Sequence, residues 1–242
     1  MNNSLIVYED SRVSLITEDA TIHHSIRSTE ESLIHDEIKT FIKEQTGSSF
    51  LHPPDYIHAV VGKHHITLPS AVYIESNLQE YSSRMYGPKD PLNEIFSTTN
   101  DDGSVTIIHS HPTWLTALIT KYFNGQAIIN MHQVLLNSLQ HEGIFSIDMH
   151  CFENQAYLGI YHQRKLWYSD FFEFTLVDDL IYMLINSLNQ FNLSTKGANI
   201  RLSSIHSSIQ PAHIEAYLKQ IEPLNLASIK SREIRALFHN QV

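Results

Sequence analysis

Ile108-His109-Ser110-His111-Pro112 is the stretch of this 242-residue chain with the most chemical promise. Residues i and i+2 of a strand point the same way, so His109 and His111 could ligate one zinc ion together. A zinc-hydrolase motif built on His-x-His-Pro continues with Ser-x-x-Asp, and counting onward places Thr120 and Phe123 at those positions. The third ligand is missing, so His109 and His111 read as a strand end and a helix cap. A His-dependent metal protein centred on the pair stays open as the weakest alternative. His23-His24 and His64-His65 are adjacent pairs, whose members face opposite sides of a strand and make poor joint ligands. No His-Glu-x-x-His or cysteine-rich set occurs, so neither a bound metal nor another cofactor is expected. Cys151 is the only cysteine. In the strand-like run Ile147–Phe152 it reads as a small buried residue rather than a nucleophile. The Gly-x-Ser-x-Gly elbow and the glycine-rich phosphate loops are absent from the sequence. No catalytic residue follows from these motifs, and an enzyme is the weaker expectation.

Sixteen Lys and Arg stand against 26 Asp and Glu, a formal charge of −10. That balance argues against nucleic-acid binding, which needs clustered cations to release counterions. The nearest thing to a cluster is Lys230, Arg232 and Arg235. With 42% hydrophobic residues and only 8 Gly and 8 Pro, the chain is neither disordered nor of low complexity. Sixteen histidines are the oddity, since full protonation would swing the charge from −10 to +6. No apolar run approaches the roughly 18 residues of a membrane span. The opening residues lack the basic start and apolar core of a secretion signal. A lone thiol fits a reducing compartment, so a cytoplasmic protein is expected.

The elements that must position any site follow a repeated order. Three strand-like runs, Ser4–Glu9, Arg12–Glu18 and Thr21–Ile26, open the chain as a meander. Ser28-Thr29-Glu30-Glu31 reads as a capping box, and Leu33, Ile34, Ile38, Phe41 and Ile42 then form one helical stripe ended by Gly47. Tyr56–Val61 is a strand. Thr67-Leu68-Pro69 leads into a helix from Ser70 to Ser83, with Val72, Ile74 and Leu78 available for packing. Glu94–Thr98 and Val105–His109 form a hairpin over Asn100-Asp101-Asp102-Gly103, a primed-turn signature. Pro112 is placed at N1 of the next helix, whose stripe is Trp114, Leu115, Leu118, Ile119, Tyr122 and Phe123. Gln126–Asn130 is a short strand and His132–His141 a helix closed by Gly143.

The opening pattern then recurs. Ile144–Phe152, Gln155–His162 and Lys165–Phe172 are three strands. A helix capped by Thr175 follows, with Asp178 and Asp179 in its first turns and an apolar band wide enough to predict deep burial. Asn199–Ser203 is a strand, Pro211–Ile221 a helix and Leu226–Ile229 a strand. Two copies of β-β-β-α-β-α-β, offset by about 140 residues, predict two α/β lobes with mixed sheets. Trp167, Tyr168, Phe171, Phe172 and Phe174 form the densest aromatic run, readable as a partner-binding strand or as a strand buried on the following helix.

This plan resembles the actin-like ATPase fold, in which two ribonuclease-H-like lobes face a cleft. More closely, the chain resembles a bacterial domain family of unknown function, seen in Bacteroidetes, that carries this duplicated fold. The resemblance rests on Ser4-Leu5-Ile6 through Asp10-Ser11-Arg12-Val13, on Thr67-Leu68-Pro69 and on Lys165–Phe172. Its strongest part is Thr175 followed by Asp178-Asp179-Leu180-Ile181-Tyr182. Where relatives tend to carry Asp-Gly at the first turn, this chain has Asp10-Ser11, and Ser203-Ser204 stands where they tend to have Gly.

An actin-like site holds phosphates on the backbone amides of two hairpin turns, which need glycine for φ > 0 and close approach. The resemblance implies that the first turn is Tyr8-Glu9-Asp10-Ser11-Arg12 and the second Cys151-Phe152-Glu153-Asn154-Gln155, with Leu202–His206 on the adenosine side. None contains glycine, and Glu9, Asp10 and Glu153 would repel a triphosphate. If nucleotide does bind, its contacts are Asp10, Ser11, Asn154, Ser203 and Ser204, with Asp10 facing Mg²⁺. The expectation is therefore an actin-like protein with lobes 1–142 and 143–242 and a degenerate nucleotide site. It would be non-catalytic and act through protein partners or self-association. A divergent Mg-ATP-binding protein or ATPase is the alternative.

Overall fold

A computed structural model describes residues 4–47, 50, 55–62, 65–86, 93–137, 145–163, 165–193, 198–205, 209, 211–221 and 225–229. They fall into two compact units, one up to Asn137 and one from Phe145 onward. The first holds β1 (Leu5–Tyr8), β2 (Arg12–Ile16), β3 (Thr21–Ser25), α1 (Glu31–Thr46), β4 (Ile57–Val60), β5 (His65–Pro69), α2 (Leu78–Tyr86), β6 (Asn93–Thr99), β7 (Val105–Pro112), α3 (Thr113–Tyr122), β8 (Ile128–Asn130) and α4 (Met131–Asn137). The second holds β9 (Phe145–Cys151), β10 (Gln155–His162), β11 (Lys165–Glu173), α5 (Val177–Gln190), β12 (Asn199–Ser204), α6 (Pro211–Ile221) and β13 (Asn225–Ile229).

The main sheet of the first unit runs β3-β2-β1-β4-β8, and that of the second β11-β10-β9-β12-β13. The meander strands pair antiparallel, while β4 and β12 join β1 and β9 in parallel. β1 is central, which explains why Leu-Ile-Val-Tyr is apolar without alternation: both of its faces are buried. Ile6 and Tyr8 meet the stripes of α1 (Ile34, Ile38, Phe41, Ile42) and α3 (Leu115, Leu118, Ile119) in one core. In the second unit Ile147 and Met149 of β9 meet Leu180, Leu184 and Leu188 of α5 and Ile214 and Leu218 of α6.

The duplication extends to single backbone bonds. In the first unit Glu9 N–H donates to Arg12 C=O, Ile26 N–H to Ser11 C=O and Val61 N–H to Tyr8 C=O. In the second, Phe152 donates to Gln155, Phe174 to Asn154 and Ile205 to Cys151. Each trio closes the first hairpin, ties the end of the third strand to that turn, and anchors the chain leaving the fourth strand.

Several local expectations are corrected. The Ser28 capping box does not form: α1 starts at Glu31, and Glu37 accepts from Arg27 N–H at 3.0 Å and from the Ser28 hydroxyl instead. Thr175 is not the cap of α5; the Asp179 carboxylate reaches back to the Thr175 and Leu176 amides at 2.8 Å each, which holds its pKa below the usual range. The helix expected from Ser70 is two 3₁₀ turns followed by α2, and Val72 and Ile74 remain 58% and 54% exposed. Pro112 ends β7 and is the N-cap of α3 rather than N1. The band of α5 is narrower than expected, because Leu176, at its N-terminal end, is exposed. His141 and Gly143 lie outside the described residues.

The β6–β7 hairpin forms, but not on a two-residue primed turn. Asn100 N–H donates to Val105 C=O and Gly103 N–H to Asn100 C=O, and in this loop Gly103 alone is left-handed, at φ 71°. A Cβ there would meet nothing within 4 Å, so only backbone strain opposes a side chain. Gly103→Ala is expected to cost about 1 kcal/mol, and Gly103→Asn less, as read by urea unfolding. No change on the Ala substitution would contradict the left-handed assignment.

The aromatic run is an edge strand. Tyr168 and Phe172 of β11 pack on the core, while Trp167 stays 40% exposed beside His162 and Phe191. A register shift opposite Tyr161 leaves Trp167 as an extra residue. Bulges and end charges such as Lys165 discourage edge-to-edge pairing.

Candidate functional site

The turns that end β1 and β9, with the ends of β4 and β12 beside them, are the positions where the sequence places a nucleotide. Asp10 and Ser11 sit exposed at the tip of the β1–β2 turn of the first unit. Asn154 is exposed at the tip of the β9–β10 turn of the second, and Ser204 pairs with Cys151 at the same end of that sheet. The second unit therefore brings Asn154, Ser203 and Ser204 to one sheet end, as parallel pairing of β9 with β12 requires.

Inside the first turn one part of the expected repulsion, that of Glu9, is neutralised, while Asp10 stays exposed. Glu9 does not face outward: Arg12 grips its carboxylate in a fork, Nε to Oε2 at 2.9 Å and an Nη to Oε1 at 3.1 Å. Both residues are buried, and the Ser14 hydroxyl adds a third bond at 3.3 Å before passing to His23 Nδ1 at 2.8 Å. A bidentate Arg–carboxylate pair is both strong and geometrically fixed. The sequence signal was Glu-x-x-Arg straddling a tight turn, where closure brings positions i and i+3 together.

No residue of either turn has a positive φ. An amide nest for phosphate alternates right- and left-handed residues, so neither turn presents one. Behind the first turn, Tyr8 hydroxyl lies 2.9 Å from His58 Nδ1, and His58 Nε2 lies 2.9 Å from Gln126 Oε1. Burial takes His58 down to about 4. Gln126 accepts, so Nε2 carries the ring proton and Tyr8 donates to Nδ1.

On the adenosine side Ser203 is buried and its hydroxyl is 2.5 Å from His150 Nδ1. Burial, reinforced by Arg201, takes His150 down to about 3. Arg201 itself forks onto buried Asp148 across the β9–β12 pair, with Nε to Oδ1 at 2.5 Å. Cys151 is buried, and desolvation pushes its thiol up to about 12, the opposite of an activated nucleophile.

His109 and His111 lie inside β7, both buried, rather than at a strand end and a helix cap. Their rings are 6.5 Å apart and both stack on Phe96 of β6. The sheet order β5-β7-β6 sets His65 opposite His109 and Glu94 opposite His111. His132 of α4 packs edge-on to His65 at 4.6 Å. The sequence reading set His65 aside with His64 and did not bring it beside His109 and His132, because β5 was not recognised: histidine and Pro69 masked a short strand. Among the described residues no group of three His, Cys, Asp or Glu is placed to hold a metal ion, and no helix is long and apolar enough to cross a membrane.

A family model described as a protein of unknown function (DUF3822) matches residues 5–221. A solved structure from Bacteroides thetaiotaomicron, described as a protein with actin-like ATPase fold and unknown function, is similar at TM-score 0.72 and 13% identity. The match covers 98% of this chain and 96% of that one. A PilM–PilN type IV pilus biogenesis complex contains a chain similar at TM-score 0.53 and 11% identity, over 97% of this chain and 90% of that one. No curated protein matches. The chain therefore has the actin-like ATPase fold.

Proposed function

For a chain that belongs to the DUF3822 family of proteins of unknown function, we propose a non-catalytic, cytoplasmic role carried out through protein partners or self-association. Its actin-like lobes, assigned as 1–142 and 143–242, serve as a scaffold. The observation that carries the reading is the buried Glu9–Arg12 fork inside a turn with no positive φ. The interior of the turn is filled by the protein's own ion pair, and the turn has no amide nest for a phosphate. Occupation of Ser203 by His150 supports the same reading on the adenosine side. The PilM–PilN structure is a complex between proteins, so the fold does serve in assemblies.

The second reading, a divergent Mg-ATP-binding protein, is favoured by the exposure of Asp10, Ser11 and Asn154 at the turn tips. Thermal unfolding with and without millimolar Mg-ATP separates the two. A ligand at 100 times its dissociation constant adds about 2.7 kcal/mol, which for a chain of this size raises the midpoint by about 5–10 °C. The expected result is no shift. A rise of that size, reduced by Asp10→Ala, would replace the scaffold reading with nucleotide binding.

A further inference from the structure

β6 forms one edge of the β5-β7-β6 sheet, and among the described residues no strand pairs with its outer side. Such an edge is a template for another chain unless it is short, bulged, charged or broken by proline. The other edges of this protein are blunted in those ways. β3, β8 and β13 have five residues or fewer, β5 ends in Pro69, and β11 carries a register shift with Lys165 and Glu173 at its ends. β6 has none of these devices. It is seven residues long, its register is unbroken from Asn93 to Thr99, and its one charge is Glu94. None of its residues is buried, and Phe96 is 37% exposed, whereas β7 beside it is buried from Thr106 to His111. The bond from Asn100 N–H to Val105 C=O fixes the phase of the ladder. Glu94, Phe96 and Thr98 therefore direct their backbone groups to β7, while Ile95, Ser97 and Thr99 turn theirs outward.

The strand is complementary to itself. A two-fold axis pairs residue i with j and j with i. Phe96 is the midpoint of Asn93–Thr99, so an antiparallel pair centred there engages the whole strand. Ile95 then exchanges backbone bonds with Ser97 of the second copy. Phe96 lies opposite Phe96 of the second copy, in the pairing geometry that brings side chains closest. Glu94 falls opposite Thr98 of the second copy and never opposite another acid. The Thr98 hydroxyl has no hydrogen-bond partner among the described residues, and a turn about χ1 offers it to that carboxylate.

We propose that two copies of this chain associate through β6, antiparallel about Phe96, and so join their three-stranded sheets into one continuous sheet. The proposal rests on the scaffold reading and names the surface through which self-association proceeds. Phe96 keeps its stack on His109 and His111 within its own sheet, and the second copy covers the part of the ring that is exposed.

The test is sedimentation equilibrium of the full chain. Expected is a monomer–dimer equilibrium with a dissociation constant of about 1–100 μM, the weak end for specific interfaces. Phe96→Lys and Phe96→Glu each set like charges face to face on the axis and should weaken the dimer by about 10-fold or more. An equimolar mixture of the two should recover a heterodimer, a rescue that misfolded variants could not give. Phe96→Cys should cross-link two copies on mild oxidation, because opposed residues of such a pair lie about 4.5 Å apart between Cα atoms, within disulfide reach. Cys151 is buried, so the parent chain is the control for cross-linking. A chain that stays monomeric throughout overturns the pairing, and the scaffold reading is then judged by the Mg-ATP unfolding alone. A dimer that is unchanged by Phe96→Lys and does not cross-link through Phe96→Cys also overturns it, because self-association then uses another surface.

Discussion

Moving from pH 7 to pH 5 is expected to remove about 4 kcal/mol of stability through His58 and His150 alone. Their folded pKa values are lowered to about 4 and about 3, in both cases mainly by burial, against roughly 6.5 for an unfolded imidazole. The unfolded chain therefore binds protons that the folded chain refuses. The contribution of each group is fully present above pH 6.5 and is lost as pH falls toward its folded value. At pH 5 each has lost about 2 kcal/mol, at 1.36 kcal/mol per pH unit. Both groups are essentially fully buried, so solvent screening gives little relief. A typical domain has only about 5–15 kcal/mol to lose, so acid lability should be plain in urea unfolding at the two pH values. His150→Asn, which can still bond Ser203, should remove about half of the difference. Coincident midpoints for the parent protein at pH 7 and pH 5 would show that these imidazoles are not buried in neutral form.

Arg12→Met is expected to destabilise the first unit by about 3–5 kcal/mol. The cost is not the value of the ion pair itself. It is the penalty of leaving the Glu9 carboxylate, 6% exposed, without its guanidinium in a site too closed for water to replace both bonds. The Glu9→Gln, Arg12→Met double variant removes that charge and should recover most of the loss, because a neutral amide can still accept from Ser14. A double-mutant cycle by urea unfolding reads the difference. If both variants are equally damaged, packing of the arginine stem rather than charge holds the turn, and the fork loses its standing as the group that fills it.

The duplicated frame was legible because it depends on patterns that tertiary context does not alter. Leu5–Tyr8 is a run without polar interruption, as a central strand requires, Phe145–Cys151 alternates apolar residues with Ser146, Asp148 and His150 at the strand period, and the stripe from Ile34 to Ile42 has helical period. The polar interior was not legible. Tyr8, His58 and Gln126 meet only because β1 pairs with β4 and the chain returns after α3. The partnership of Asp148 with Arg201 likewise depends on parallel register between β9 and β12. The one polar contact within reach of sequence reasoning was Glu9 with Arg12, three residues apart across a turn. It was missed because both acids of that turn were taken to face outward. The cap of α5 shows a subtler limit: Thr175 was expected to cap, with Asp178 and Asp179 serving the dipole, whereas Leu176 is the N-cap and the Asp179 carboxylate accepts from the Thr175 and Leu176 amides.

The excursion of chain between β4 and α3, which carries the three-stranded sheet, has a kinetic consequence. β8 joins β4 by pairing Ile128 with His58, 70 positions apart, whereas its counterpart β13 joins β12 by pairing Asn225 with Asn199, only 26 apart. Closing the longer segment as free chain costs about 1 kcal/mol more in loop entropy. That difference shrinks once β6 and β7 have formed their hairpin, since a folded insert shortens the chain to be closed. The second unit can thus complete its sheet from local contacts, as low-contact-order elements do. The first is expected to complete its sheet later, the more so the later the Asn100–Gly103 turn nucleates.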